Sequence, residues 1–319
     1  MQMRPLGRSG ITLSAIIMGT WQAGKAMWTG IDDRQTRTAI RAAFDAGVTA
    51  FDTAEVYGNG HSERILGEAL AGVRDKAVIA TKVFSNHLKF DQVIAACDRS
   101  LKNLGTDYID LYQIHWPPGA FGHAPVPIEE PLRALNQLKE QGKIRAIGVS
   151  NFNREQLQEA LRFAAVESLQ PPYSLFWRWV EKTVAPLCAE HQMTVLAYSP
   201  MAQGLLTGKF GPGHTFEKGD HRSANRLFQP ETFDRVQTAL GQLRPIAQKY
   251  AVTLGQLALA WVIAQPGTCA IAGARNTEQA LQNAAAGEIR LSDEDLAAMD
   301  RIGRSVTDHL DDDPVLWKW

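Results

Sequence analysis

Eight short apolar runs punctuate the chain, at residues 15–18, 48–52, 77–82, 108–115, 143–149, 166–170, 194–197 and 269–272. Runs this short and this apolar read as strands buried on both faces, which is the habit of a parallel sheet. Parallel neighbours need a crossover connection, and segments of helical pattern lie between the runs. They cover 33–46, 62–71, 91–104, 128–141, 153–165, 182–192, 253–265 and 277–286, with a further helix at 231–250. Asp33 is placed to cap the first, and Gly47, Gly105 and Gly142 stop three of them. The repeated unit over 319 residues predicts an α/β protein, a closed (β/α)8 TIM barrel in a single domain spanning 1–319. An N-terminal β-hairpin at 3–14 precedes the barrel, and extra helices and a loop close the C-terminal end. A doubly wound sheet holds the same units. The placement of polar residues separates the two. Asp52, Lys82, His115, Ser150, Asn151, Gln170 and Tyr198 fall at or just beyond the C-terminal ends of the runs. In a barrel those ends converge on one site.

Composition bounds the function. Apolar residues make up 45% of the chain, enough for a sizeable core, and the formal net charge is only −1. Bulk charge therefore gives no sign of a nucleic-acid or membrane surface. Cys97, Cys188 and Cys269 are far apart and form no CxxC pair, so neither a structural metal site nor a redox dithiol is expected. No basic-then-apolar leader opens the chain, and no run reaches the length that spans a bilayer. A cytoplasmic protein in a reducing compartment is predicted.

The chemistry concentrates in residues 51–63, Phe-Asp-Thr-Ala-Glu-Val-Tyr-Gly-Asn-Gly-His-Ser-Glu. A buried strand delivers Asp52 at its end, the chain turns sharply around Asn59, and a helix starts near Ser62. Tyr57 lies in the loop between them. A phenol is a poor acid at neutral pH, with an ordinary pKa of about 10. A nearby ammonium lowers that value, and Lys82, at the end of an apolar run where a lone lysine is costly, is the candidate. Asp52 can pair with Lys82, and His115 can bond to the phenol or to a substrate oxygen. A tuned phenol beside a lysine is a general acid for a carbonyl oxygen. None of these groups donates hydride, so the chemistry needs a cofactor. Singly, such an Asp caps a turn, such a His satisfies the core and such a Tyr packs. Together, at the mouths of three strands, they point to function.

Other signatures fail. Gly19-Thr20-Trp21-Gln22-Ala23-Gly24-Lys25 fits most of a phosphate-binding loop, but Ala26 stands where the metal-binding hydroxyl belongs. No GxGxxG, GxSxG or HExxH occurs. A glycosidase pair drawn from Glu55, Glu63, Glu129 and Glu130 is weak, because the last three fall at helix starts.

Asp52, Tyr57, Lys82 and His115, in that order on successive strand ends, resemble the aldo-keto reductase tetrad. Three further segments are similar to that family: Phe51 to Gly58, Leu104 to Tyr112, and Gly142 to Phe152. Gly19-Thr20-Trp21, the Trp28 loop and Gly204 to Lys209 look most like the bacterial branch that includes general stress protein reductases. Potassium-channel β subunits are more distant relatives. The resemblance spans about residues 3–303.

It implies a barrel that binds NADP(H) without a Rossmann motif. It makes Tyr57 the general acid, Lys82 the group that lowers its pKa, Asp52 the partner of Lys82, and His115 the residue that orients the carbonyl. Ser150, Asn151 and Gln170 would hold the nicotinamide carboxamide, with Tyr198 stacked on the ring. Gly19, Thr20, Trp21 and Asp52 would also contact the cofactor. Ser199, Pro200, Met201 and Gln203 would line the pyrophosphate path, with Lys209 nearby. Gly273, Arg275, Gln279 and Asn283 would form the adenosine 2′-phosphate and adenine site at a helix start. Many family members carry a second basic residue where this chain has Gln279.

Substrate contacts are expected from Trp21, Trp28, Tyr57, His115 and Trp116. Trp21, Trp28, Phe84, Trp116 and Trp177 would wall an aromatic pocket suited to flat or apolar aldehydes. The loops at 22–31, 117–127 and 304–319 do not encode which small-molecule carbonyl enters. Two classes remain, a broad carbonyl reductase and a cofactor-binding regulatory subunit like the channel β subunits. A barrel that starts almost at Met1 favours the first.

Overall fold

The computed structural model describes residues 1–25, 30–211, 213–216 and 220–310. Trp28 and the tail from 311 onward therefore lie outside the described residues. A hairpin of β1 (Met3–Pro5) and β2 (Thr12–Ser14) precedes eight parallel strands. These are β3 (Ile16–Gly19), β4 (Ala50–Asp52), β5 (Val78–Val83), β6 (Ile109–Ile114), β7 (Ile144–Ser150), β8 (Val166–Gln170), β9 (Thr194–Ala197) and β10 (Thr268–Gly273). They pair in sequence order, and β10 returns to pair with β3, so the sheet is a closed barrel. All eight expected runs are barrel strands, and the fold is the (β/α)8 barrel.

The helices that wrap it are α1 (Asp33–Asp45), α2 (His61–Leu70), α3 (Phe90–Leu104), α4 (Glu129–Glu140), α5 (Arg154–Ala160), α6 (Trp179–Thr183) and α7 (Ala185–Glu190). They continue as α8 (Pro230–Lys249), α9 (Leu254–Ala264), α10 (Thr277–Ala286) and α11 (Asp293–Thr307). The cap of α1 is Asp32, one residue before the expected Asp33; its carboxylate accepts from the Gln35 amide. Asp33 instead pairs with Lys25 and His61. The expected helix at 182–192 is two short helices, α6 and α7. Pro186, near the start of α7, has no N–H to bond back to the preceding turn, so the helix breaks and restarts there. No single described helix is long and apolar enough to cross a membrane.

The barrel interior is stoppered at one end. Leu6, Ile11 and Leu13 of the hairpin region pack against Ile17, Ala50, Leu111, Leu196 and Ile271, which point inward from the strands. The Glu167 carboxylate accepts from the Arg8 amide at 2.6 Å. Thr194 Oγ1 donates to the Pro5 carbonyl at 2.7 Å and accepts from the Gly7 amide at 2.8 Å. Above this apolar floor the interior turns polar. Gly148 is needed at the transition, because a Cβ there would sit 2.5 Å from Ser168 Oγ and 2.9 Å from Gln113 Cγ. The mouth at the C-terminal strand ends is left open, and the cavity lies there.

Candidate active site

The register of β4 and β5 sets the first pair. Asp52 lies opposite Ala80, and Lys82, two residues on, points the same way, into the barrel. Lys82 is fully buried. Its Nζ donates to Asp52 Oδ1 at 2.6 Å and to the Thr53 carbonyl at 2.8 Å, and it lies 3.4 Å from Tyr57 Oη. The second carboxylate oxygen of Asp52 accepts from Gln170 Nε2 at 2.8 Å, with Gln113 Nε2 at 3.5 Å. A buried carboxylate thus has both oxygens engaged by donors from three other strands, which offsets the cost of keeping its charge there.

Tyr57 comes from the loop between β4 and α2. Its position is fixed by close backbone contact with the loop after β3. A Cβ on Gly24 would sit 2.6 Å from the Tyr57 carbonyl carbon, so only glycine allows the approach. Gly58, at φ +63°, meets Gly24 from the other side.

Burial pushes the Tyr57 phenol above its ordinary pKa, and the Asp52 charge pushes the same way. Lys82 opposes both without reversing them. The expectation of a net lowering by Lys82 is therefore corrected for the protein alone: the proton stays on the oxygen. Burial pulls the Lys82 ammonium down, but Asp52 and Tyr57 outweigh it and its pKa is raised. His115, at the end of β6, is pushed well below the usual histidine value by burial and by Lys82. Its imidazole is neutral at pH 7. It does not bond to the phenol but meets the Tyr57 ring edge-on, with centroids 5.6 Å apart.

These groups open onto a cavity of ≈ 790 Å³. Next to the tetrad it is lined by Gly19, Trp21, Trp116 and Phe84. Ser150, Asn151 and Gln170 form one bonded set. Ser150 Oγ donates to the Gln170 carbonyl at 2.7 Å, and Asn151 Nδ2 donates to Ser150 Oγ at 3.0 Å. Asn151 Oδ1 accepts from Tyr198 Oη at 2.8 Å. Ser199, Pro200, Met201 and Gln203 continue the wall. Ser199, Ala202 and Gln203 all have left-handed backbone, at φ +52°, +48° and +56°. Strain of this kind gathers at functional surfaces.

The far end is cationic. Lys209, Arg222 and Arg275 line it together with Gly273, Gln279 and Asn283. Lys209 and Arg275 are both shifted below their ordinary pKa, by burial first and then by the positive charge of Arg222. Gln203 Nε2 is a buried donor with no partner among the described residues. Gln279 accepts from the Arg275 amide at 3.0 Å, and Asn276 caps α10.

Two expected contacts are not on this surface. Thr20 is buried behind it, its hydroxyl bonded to the Asp52 carbonyl and to Ser62 Oγ. Trp177 sits in the core against the edge of Tyr198, because the chain after β8 turns that face inward. Among the residues not singled out from the sequence, Phe121 and Arg222 line the cavity and Gln113 lies beneath it against Asp52. Gln113 was the one uncharged amide inside an apolar run and was legible as an anomaly. Phe121 and Arg222 come from segments with no periodic pattern. Phe121 stacks on Phe84 at 5.4 Å and meets Trp116 edge-on at 5.0 Å. Arg222 is held by Asp220 and lies over the rings of Phe210 and Phe216. No cluster of metal-ligating side chains occurs among the described residues.

Comparison with known proteins places this geometry. The model of the "Aldo/keto reductase family" matches residues 15–304. Aldo-keto reductase YhdN of Bacillus subtilis is 40% identical over 291 residues, covering 88% of this chain and 86% of that protein. The NADH-specific methylglyoxal reductase of Escherichia coli is 35% identical, covering 96% and 99%. The structure of a glycerol dehydrogenase from Gluconobacter oxydans superposes with a TM-score of 0.88 at 36% identity, covering 97% of each chain. An aldo-keto reductase from Klebsiella pneumoniae, solved in complex with NADPH, gives 0.75 at 33% identity and covers 95% of each.

Proposed function

The chain belongs to the aldo/keto reductase family, and from that premise we propose that it is an NADPH-dependent carbonyl reductase with Tyr57 as its general acid. It is an oxidoreductase of carbonyls by family, and a nicotinamide cofactor is found with a structural neighbour. The observation that carries the finer reading is the contact of Tyr57 with the buried Lys82–Asp52 pair at one end of a cavity whose other end is cationic.

The residues present fit a dinucleotide phosphate. Burial and the charge of Arg222 hold Lys209 and Arg275 below their ordinary pKa, with Asp220 offsetting this only in part, and Gln203, whose side-chain nitrogen has no partner among the described residues, lines the same cavity. Arg275 stands at the start of α10, where backbone amides also favour an anion. Arg222 supplies the second cation that Gln279 does not. In this reading Arg275 and Arg222 take the 2′-phosphate, Lys209 and the 199–203 segment the pyrophosphate, and Ser150, Asn151 and Gln170 the carboxamide. Tyr198 would pack against the ring. When bound, the reduced nicotinamide supplies the hydride.

The chain's own part is the proton. Tyr57 keeps its proton at neutral pH because burial disfavours the phenolate. As negative charge grows on a carbonyl oxygen, Tyr57 Oη delivers that proton, and Lys82 stabilises the phenolate left behind. Asp52 keeps Lys82 charged, so the ammonium is in place before the charge develops. His115, neutral, donates a hydrogen bond to the same oxygen without competing as an acid. Trp21, Phe84, Trp116 and Phe121 form the apolar side against which the rest of the substrate lies.

The test is loss of reduced-nicotinamide absorbance with a panel of aldehydes, ketones and sugars, using NADPH and NADH in parallel. Turnover that depends on Tyr57 supports the reading. Tight NADPH binding with negligible turnover across the panel defeats it.

A further inference from the structure

His115 is held in an unusual way. Its Nδ1 is buried and has no hydrogen-bond partner among the described residues. A working histidine ordinarily has one nitrogen fixed by a carbonyl or carboxylate, which sets the tautomer and the ring plane. Here Asn151 holds only the His115 backbone carbonyl, at 3.0 Å. The ring itself is gripped by two aromatic neighbours. Tyr57 stands at 5.6 Å and 81°, and Phe84 at 5.5 Å and 76°, both edge-on.

Both walls of this slot trace to Glu55. It lies two residues before Tyr57, in the turn that the Gly60 amide closes on the Glu55 carbonyl at 2.8 Å. Its own amide donates to the Lys82 carbonyl, tying the turn to β5. Its side chain reaches past the end of β5. Phe84 is the first residue beyond that strand, so its amide has left the sheet ladder, and Glu55 Oε1 accepts from it at 2.9 Å. The same oxygen lies 3.0 Å from His87 Nδ1, and Oε2 lies 3.1 Å from Arg99 Nη2. The carboxylate is only 10% exposed.

We propose that Glu55 is a positioning residue: by capping the Phe84 amide it fixes the aromatic slot that orients His115 and the substrate. The role rests on the carbonyl-reductase reading of the site. Glu55 touches neither the reacting oxygen nor the cofactor end. It acts through Phe84, whose ring also stacks on Phe121, so one carboxylate sets the orientation of three rings. A stitching role for the Glu55–Arg99 pair is the alternative. That pair has an Arg99 side chain 50% exposed, and ion pairs so placed contribute little.

The two are separated by Glu55→Ala and Glu55→Gln. The amide oxygen of Gln still caps Phe84 but carries no charge for Arg99. Two readouts are needed, exchange of the Phe84 amide hydrogen and steady-state kinetics with benzaldehyde and methylglyoxal at saturating NADPH. In Glu55→Ala the Phe84 amide should exchange faster. There kcat/KM for benzaldehyde should fall roughly tenfold, as expected when a group is misplaced by fractions of an ångström. Methylglyoxal, too small to lean on Phe84, should fall less, and the Kd of NADPH should not move. Glu55→Gln should recover most of both effects. An unchanged Phe84 exchange rate, an unchanged ratio of the two aldehydes, or a Gln variant as impaired as Ala would each overturn the proposal. A wild-type protein that reduces neither aldehyde would defeat the reductase reading and the catalytic consequence with it. The exchange result would then still decide, on its own, whether Glu55 holds Phe84.

Discussion

Lys82 Nζ is bonded to Asp52 Oδ1 at 2.6 Å but stands 3.4 Å from Tyr57 Oη, so the ammonium is seated on the carboxylate and only leans on the phenol. Removing one member of such a buried pair leaves the other uncompensated, at a cost of about 3–5 kcal/mol. Lys82→Met should therefore lower both stability in urea and turnover. Asp52→Asn should destabilise less, because Gln170 and Gln113 can rebond to an amide. Equal midpoints for Lys82→Met and wild type would remove the pair from the stability account.

Tyr57→Phe deletes one oxygen from a site whose shape is set by backbone contacts, so it should fold and bind NADPH as wild type does. The rate of carbonyl reduction should drop by about 10²–10⁴, the range for a lost general acid. Unchanged turnover would take Tyr57 out of that role.

The pH profile follows from the two shifts. His115 is pushed well below 6.5, so no loss of activity should appear as pH falls through the usual histidine range. Tyr57 is pushed above 10.0, so the donor stays protonated until the solution is strongly alkaline. Under saturating cofactor, kcat/KM should be level between about pH 6.5 and 10 and fall only above that. A limb centred near the ordinary histidine pKa would contradict the burial of His115.

At the other end of the cavity, Arg275→Ala should raise the Michaelis constant for NADPH about tenfold or more and that for NADH little, since only one of them carries the 2′-phosphate. Arg222→Ala should shift the same ratio. Parallel effects on both cofactors would reassign these arginines, a result that the NADH-specific relative makes worth testing.

Away from the site, Asp295 accepts from Lys249, Tyr250 and Ser292 and fastens α11 to the end of α8. Those bonds lower its pKa from 3.8 to about 2. A depressed carboxylate contributes stability above its unfolded value and loses it as pH falls through the folded one. Asp295→Asn should melt earlier than wild type at pH 7, and the gap should close as pH falls from 3.8 toward about 2. A gap independent of pH would mean that packing, not charge, fastens α11.

The barrel was legible because strands buried on both faces leave unbroken apolar runs, and because polar residues at their ends have no business in a core. Asp52, Lys82 and His115 stood out for that reason. Gln113 was visible as the one amide inside its apolar run, but one amide does not break an apolar pattern and its partner Asp52 lies on another strand. Trp177 was assigned to the pocket because residue type says nothing about which way a loop turns. The direction of the Tyr57 shift was missed because its neighbours can be read from spacing but its burial cannot. Arg222 and Phe121 belong to aperiodic segments, where only the folded chain brings residue and cavity together.

The contact between Gly24 and Gly58 has an evolutionary edge. With no side chain between them, the loop carrying Trp21 and the loop carrying Tyr57 are seated backbone on backbone. The Trp21 side of the cavity and the Tyr57 phenol are therefore one mechanical part. A transplant of the β3 loop from another family member cannot change what the pocket admits while leaving the position of Tyr57 untouched. New specificity on this scaffold should come most readily from the Phe84 and Phe121 side, or from exchanging residues 20–30 and 54–60 as a matched set.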